Sequence, residues 1–394
     1  MIGITKLYCG AITPSDALRY GREMNNLPAH LLQFAQDKKP VVVWNCSRRC
    51  NLSCIHCYSD SRNQAYSGEL TNAEARTMID DLAAYGAPVL LFSGGEPLMR
   101  EDLFDLAKYA SGQGLRVVIS TNGTLITAEA AREIKRAGIS YVGVSLDGIG
   151  STNDRFRGKK GAFDEALRGI ENCRKADQRV GLRLTLTKHN VRDLAEIFRL
   201  IEEVEIDRAC FYHLVYAGRG RGMRDDDLTH QETREALDFI CQKAMDFQRR
   251  GVDKEILTVD NHTDGVYVYL KVKQEQPERA EEVLQLLRWN GGNSSGVGIA
   301  DVDNQGDVHA DQFWQDYSFG NVRERPFSQI WNDTSDPLMA GLKDRRALLG
   351  GKCGRCPHVD ICNGNFRSRA KAVYNDVWAE DPACYLTEEE LGIE

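Results

Sequence analysis

The sequence predicts an α/β protein, a partial (β/α)6 barrel of the TIM type followed by a smaller α+β domain. Three observations predict it. Short β-branched or apolar runs alternate with amphipathic helical stretches from residue 40 to about 214, polar glycine-containing motifs recur just past those runs, and the rhythm changes past about residue 265. Six βα units in a row imply parallel strands with right-handed crossovers, and an open or closed barrel is their natural solution.

Residues 1–39 read as an N-terminal extension. Its opening, MIGITKLYCGAITPSDALRYG, has no basic n-region and no apolar core before Asp16 and Arg19, which argues against a secretory signal. The barrel, residues 40–265, carries its strands at VVVW (41–44), APVLLFS (87–93), LRVVIS (115–120), ISYVGVSL (139–146), VGLRLTLT (180–187) and RACFYHL (208–214). Helical patterns fill the gaps. In ELTNAEARTMIDDLAAYGA, Thr71 followed three residues later by Glu74 is a capping box. The second domain, residues 266–394, begins with a helical stretch at 277–288 and continues into WNGGNSSGVGIADVDNQGDVHADQFW, which reads as a hairpin or small sheet. A second cysteine group and the acidic tail EEELGIE complete it.

A chain of 394 residues with 42% hydrophobic content can bury one large core and a smaller one. Its net charge of −8 and pI near 5.6 give no overall footprint for nucleic acid or anionic membranes, so any anion site is local. No uncharged apolar run approaches the ~20 residues of a membrane helix, and a cytoplasmic location is expected. Seven of the twelve cysteines fall in two spaced groups, which favours metal over a disulfide framework.

The motifs after the strands are Cys50 onward, Gly94-Gly95-Glu96-Pro97, Ser120-Thr121-Asn122-Gly123 and Ser145-Leu146-Asp147-Gly148. Any one alone is an ordinary turn signal. Four at matching strand ends would face one cavity, because ligands of parallel α/β sheets bind at the carboxyl ends of the strands. The first holds Cys50, Cys54 and Cys57 at C-x3-C-x2-C. Three thiolates can hold three irons of a cubane cluster and leave the fourth iron open. A structural zinc wants four ligands, and here the nearest supplement is His56.

Cys50, Cys54, Cys57 and Tyr58 resemble the signature of the radical S-adenosylmethionine (SAM) enzymes. The resemblance implies a [4Fe-4S] cluster whose open iron chelates SAM, and cleavage of SAM to a 5′-deoxyadenosyl radical. It also implies SAM contacts: Gly94, Gly95, Glu96 and Pro97 for the methionine amino group, Ser120 and Asn122, Ser145 and Asp147, and Arg183 for the SAM carboxylate. A guanidinium suits a carboxylate because two parallel hydrogen bonds join them; a charged residue on an outward strand face is the alternative.

Near the C-terminus Cys353, Cys356, Cys362 and Cys384 are spaced C-x2-C-x5-C-x21-C. Four thiolates saturate a zinc or a cubane, so this is a closed structural or electron-relay site. It resembles the SPASM or twitch extensions of radical SAM enzymes, which carry auxiliary [4Fe-4S] clusters. Where a two-cluster SPASM domain has further cysteines this chain has Asp311 and Phe366, so one auxiliary cluster is expected. Of the remaining cysteines, Cys173, Cys210 and Cys241 read as buried small hydrophobes, Cys46 as a candidate for the cavity wall, and Cys9 has no assignment.

LFSGGEPL, STNGTLI, YVGVSLDG, YAGRGRG, RPFSQIW and AEDPACYL resemble radical SAM enzymes that trim modified tetrapyrroles. These form two sister groups, the 12,18-didecarboxysiroheme deacetylases of the siroheme-dependent haem pathway and the enzymes acting on the same precursor in haem d1 synthesis. The N-terminal extension resembles the deacetylases more. That resemblance implies radical removal of two acetate side chains to give iron-coproporphyrin III, with hydrogen taken from each acetate methylene and a low-potential ferredoxin or flavodoxin as electron donor. The substrate is flat and rimmed by carboxylates. Arg219, Arg221 and Arg224 are candidates for that rim, with a solvated basic loop as the alternative, and Asn293, Ser294 and Ser295 are further polar candidates. His309 and His213 are candidate axial ligands to the substrate iron, since neutral imidazole suits iron. A peptide-modifying radical SAM enzyme, a module holding two zinc ions and a non-catalytic tetrapyrrole carrier are the competing readings.

Overall fold

The computed structural model describes residues 1–13, 15–20 and 39–393. Residues 21–38 of the extension, on which the choice between the sister groups partly rests, lie outside them.

One ten-stranded sheet organises the chain. Its strands are β1 (Ile2–Gly3), β2 (Val41–Ser47), β3 (Val89–Gly94), β4 (Arg116–Thr121), β5 (Tyr141–Ser145), β6 (Val180–Leu186), β7 (Arg208–His213), β8 (Glu255–Val259), β9 (Ile299–Val302) and β10 (Val308–His309). The spatial order is β1-β8-β7-β6-β5-β4-β3-β2-β9-β10, and β2 to β8 are parallel neighbours. The six expected strands all form. The structure adds β8, whose EILTV is buried along its whole length; a run of five residues behind a 20-residue helix carries too little periodicity to stand out. The expected hairpin also forms, as antiparallel β9 and β10, but β9 pairs in parallel with β2 and so extends the barrel sheet.

Helices α1 (Asn72–Tyr85), α2 (Leu103–Gly112), α3 (Ala128–Arg136), α4 (Ala162–Lys175), α5 (Leu194–Glu203) and α6 (His230–Arg249) make the crossovers. Thr71 and Glu74 form the expected capping box on α1, and Gly86 ends that helix in the left-handed conformation at φ +84°. Burial alternates along β4: Val117, Ile119 and Thr121 are buried, while Arg116, Val118 and Ser120 are half-buried. The edges β1 and β10 do not pair with each other, which makes the barrel a partial one. Val41 and Ile299 on one side and Val259 on the other nevertheless line one cavity, so the sheet curls toward closure. The core continues from Trp44 and Phe92 into Phe327, Trp331 and Tyr385. Among the described residues no helix is long and apolar enough to cross a membrane.

Candidate functional site

The loop after β2 carries Cys50, Cys54 and Cys57, and all three line a cavity of about 160 Å³ at the carboxyl ends of the strands. Glycine lets the neighbouring loops reach it. A Cβ on Gly94, at φ +119°, would lie 2.4 Å from the Ser47 carbonyl, and one on Gly95 would lie 2.2 Å from that of Arg49. Their closeness is fixed by backbone bonds, Gly95 N to Ser47 O at 2.7 Å and Glu96 N to Arg49 O at 2.9 Å. All twelve cysteines are free thiols. Burial pushes the Cys50 thiol up to about 12, so a thiolate there needs a compensating positive charge such as iron. Beside Cys54, the buried Arg157 donates from Nη1 to the sulfur at 3.6 Å and pairs through Nη2 with Asp147.

Most residues expected at the SAM site meet in this cavity. Tyr58, Gly94, Gly95, Ser120, Asn122, Ser145, Asp147 and Arg183 line it together with the cysteines. Arg183 donates to Ser120 Oγ at 2.7 Å and lies over the Tyr212 ring at 4.8 Å. Gly143 makes room for its stem, since a Cβ there would be 2.8 Å from Arg183 Cδ. Asp147 accepts from the Thr185 amide at 2.7 Å. Tyr58 donates to Asn45 Oδ1 at 2.9 Å and sets its ring edge against Phe313 at 5.6 Å.

Two members of the GGEP motif depart from expectation. Neither Glu96 nor Pro97 lines the cavity. Glu96 is fully buried and accepts from Thr121 Oγ1 (2.7 Å), the Asn122 amide (2.8 Å) and the Leu98 amide (3.1 Å), so it joins two strand-end loops from behind. Burial raises its pKa, opposed by those bonds. Cys46 is likewise not in the cavity wall: it is buried and donates to Ser93 O at 3.5 Å. Cys173, Cys210 and Cys241 are buried as expected, and Cys9 packs half-buried against the core.

The expected arginine rim is corrected. Arg219 clamps the cysteine loop, donating to Cys54 O (2.7 Å), Asp60 Oδ1 (2.7 Å) and Ser61 O (3.0 Å). Gly218 permits this, since a Cβ there would lie 2.4 Å from Cys57 O. Arg221 and Arg224 are exposed, the first near Asp316 at 3.3 Å and the second bonded to Ala372 O. Asn293, Ser294 and Ser295 line a second cavity of about 210 Å³ that shares Asp260 and Gln312 with the first. Asn293 is committed to other partners: its Oδ1 accepts from Arg345 at 2.7 Å, and its amide donates to Cys362 O at 3.1 Å.

His309 lines neither cavity. Its Nδ1 bonds Tyr317 O at 2.8 Å, and its Nε2 lies 3.9 Å from Asp303. Burial opposes its charge, but Asp303 and Asp301 outweigh it and hold the pKa up to about 9. His213 does line the first cavity, with Nε2 2.8 Å from Asp264. Arg157, Tyr212, Asp260 and Phe313 were missed by sequence reasoning; only Arg157 had a signal, in RFRG shortly after SLDG.

Cys353, Cys356, Cys362 and Cys384 line one pocket. Among the described residues no three Cys, His, Asp or Glu side chains converge tightly enough for a single metal ion. A zinc draws its sulfurs to about 2.3 Å from one centre, whereas thiolates at the corners of an iron–sulfur cube stand farther apart. By donor set, the three thiols of the first cavity suit a cube with one open corner, and the four of the second pocket suit a closed cube or a zinc. Gly292 lets the Asn-Gly-Gly-Asn turn pack on this site, as a Cβ there would meet Cys362 O at 2.4 Å. Asp311 accepts from the Phe313 amide at 2.8 Å, and Phe366 stacks on His262 at 6.0 Å, so both positions are filled by packing and hydrogen bonding.

A model of the radical SAM superfamily matches residues 44–201. The chain is 60% identical to Fe-coproporphyrin III synthase of Methanosarcina barkeri, over 100% of this chain and 99% of that protein. It is 45% identical to pre-heme d1 synthase of Dinoroseobacter shibae, over 90% and 88% of the two chains. Among solved structures, SuiB of Streptococcus suis superposes with a TM-score of 0.71 at 16% identity, covering 94% of this chain and 86% of that one, a likeness of fold alone.

Proposed function

The chain belongs to the radical SAM superfamily, and from that premise we propose that it makes Fe-coproporphyrin III by removing two acetate side chains from 12,18-didecarboxysiroheme. The observation that carries the proposal is the 60% identity, end to end, to a protein named for that product. The gathering of the strand-end motifs around three cysteines in one cavity supports the radical SAM chemistry.

In this reading Cys50, Cys54 and Cys57 hold a [4Fe-4S] cluster, with SAM on its open iron. When bound, these supply a 5′-deoxyadenosyl radical. Arg183, already facing the cavity beside Ser120, offers its guanidinium to the SAM carboxylate. Gly94, Gly95, Ser120, Asn122, Ser145 and Asp147 line the space around SAM, Glu96 and Pro97 shape the loop, and Arg219 and Arg157 hold the cysteine loop in place. Cys353, Cys356, Cys362 and Cys384 would hold a second [4Fe-4S] cluster, which would supply an electron path from a low-potential ferredoxin or flavodoxin. A cytoplasmic setting belongs to the same proposal, because every thiol must stay reduced.

The tetrapyrrole occupies the two linked cavities, whose walls include Tyr58, Tyr212, Phe313 and Phe366. His213 is the proposed axial ligand to its iron, since a carboxylate on one ring nitrogen is how metal-binding histidines are oriented. The expected attack on the acetate methylene is revised on chemical grounds. A radical there leaves the bond to the ring intact, whereas a radical on the neighbouring saturated ring carbon breaks that bond as a ring double bond forms.

The test is an anaerobic assay of the reconstituted protein with dithionite, SAM and 12,18-didecarboxysiroheme, resolving products by mass spectrometry. Fe-coproporphyrin III with deoxyadenosine is expected. A different tetrapyrrole product would favour the haem d1 branch, the second reading suggested by the 45% relative. Deoxyadenosine with no tetrapyrrole change would favour peptide modification.

A further inference from the structure

Asp260 directly follows β8 and has φ +65°, a left-handed backbone that non-glycine residues adopt at a cost. The carboxyl end of a barrel strand is where such barrels carry their catalytic groups. Its main chain is pinned, the carbonyl accepting from the buried Arg369 at 2.8 Å. Its carboxylate is not: among the described residues it receives no hydrogen bond, and it lines both cavities. The other carboxylates of these walls differ, Asp147 accepting from the Thr185 amide and Asp311 from that of Phe313. A strained residue with an unengaged acid at the waist between the cysteine cavity and its neighbour is poised for substrate.

Resting on the Fe-coproporphyrin III reading, we propose that Asp260 is the acid that gives a proton to the two-carbon fragment as it leaves the tetrapyrrole. Once a hydrogen atom has been taken from the saturated ring carbon beside the acetate-bearing carbon, homolysis of the ring-to-methylene bond completes a ring C=C bond. The other electron of the broken bond stays on the fragment, a carboxymethyl radical, which adds back to the new C=C bond until it is quenched. One electron from a low-potential donor of the ferredoxin or flavodoxin class and one proton from Asp260 convert it to acetate. Asp260 is then reprotonated from solvent before the second arm leaves.

Burial, partly offset by the nearby cations, pushes the Asp260 carboxyl up to about 6, which leaves a protonated fraction near neutral pH. The charged and titratable groups around it are Arg183 of β6, Tyr212 of β7, Asp311 after β10, Arg369, His262 and the Met1 amine.

Single-turnover assays of reconstituted Asp260→Asn test this, since asparagine keeps the left-handed backbone. Fe-coproporphyrin III and acetate formed per deoxyadenosine are expected to fall about 10²-fold. Asp260→Glu is expected to restore part of the product, and the fall in wild-type product rate above pH of about 6 should vanish in the asparagine variant. Infrared titration of the wild-type holoenzyme should show a protonated-carboxyl band that the asparagine variant lacks. Equal product per deoxyadenosine in wild type and Asp260→Asn overturns the proposal and leaves the parent reading intact. Joint loss of deoxyadenosine and product in the variant also overturns it, as that marks a structural role. No Fe-coproporphyrin III from the wild-type enzyme overturns the parent reading itself.

Discussion

Asp381→Asn tests what joins the C-terminal cysteine segment to the barrel. Arg369 and Asp381 are both fully buried, with Nε to Oδ1 at 2.9 Å and Nη2 to Oδ2 at 3.1 Å. Arg369 also donates to Leu214 O and Asp260 O, both at 2.8 Å, just past the ends of β7 and β8. Asp381 accepts from the Phe366 and Ala383 amides, both at 2.9 Å. Removing the carboxylate charge strands a guanidinium away from water, a change that costs about 3–5 kcal/mol. An exposed pair such as Arg221 with Asp316 contributes only ~0–1 kcal/mol. Urea unfolding of the metal-free protein, followed by tryptophan fluorescence, reads the difference. With a slope of about 3 kcal/mol/M the midpoint should fall by about 1–1.7 M in Asp381→Asn and by no more than about 0.3 M in Arg221→Ala. Replacing both partners, Arg369→Met with Asp381→Leu, should recover most of the loss, because no charge is left unpaired. A single-variant midpoint no lower than that of Arg221→Ala, or a double variant no better than the single, would refute this reasoning.

Gly95→Ala drives a Cβ to within 2.2 Å of the Arg49 carbonyl, so the loops around the first cysteine group should separate; iron analysis should show about half the wild-type content, with the C-terminal group still loaded. Arg219→Ala removes three hydrogen bonds to the cysteine loop and should also lower iron content, whereas Arg224→Ala, on the outer surface, should not. His309 is held up to about 9, so its stabilisation is complete below its ordinary value of 6.5 and is lost as pH rises through 9. Asp301, raised to about 8 chiefly by burial, adds a destabilisation that is full above that pH. Both act in one direction: the His309 shift alone lowers stability by about 2–3 kcal/mol from pH 6 to pH 9, and urea midpoints of His309→Gln should show a shallower decline.

The strands and cysteine motifs were legible because they are local signals. Val41 to Trp44 announces a strand by its β-branched composition, Val180 to Leu186 by its alternating apolar residues, and Thr71 with Glu74 announces a helix start across four residues. Since consecutive βα units can only wind one way, those signals imply that the strand ends face one cavity, and Cys50, Cys54, Cys57, Ser120 and Arg183 do meet there. Side-chain direction was less legible. Glu96 sits in the right motif and points behind the cavity wall, because three donors from two loops are waiting there.

The sequence by itself determined the βα order, the two cysteine groups and the glycines that let loops close over them, all set by spacing along the chain and by turn chemistry. The tertiary structure decided which arginine does what. Arg219 and Arg224 lie five residues apart on one loop, yet one reaches back 165 positions to the Cys54 carbonyl and the other turns to the surface. It also decided that His309 sits beside the carboxylates of Asp303 and Asp301 and that the Asp260 carboxylate faces both cavities and, among the described residues, receives no hydrogen bond. A side chain's charge, access and partner depend on what distant segments bring to it, and periodicity carries no record of that.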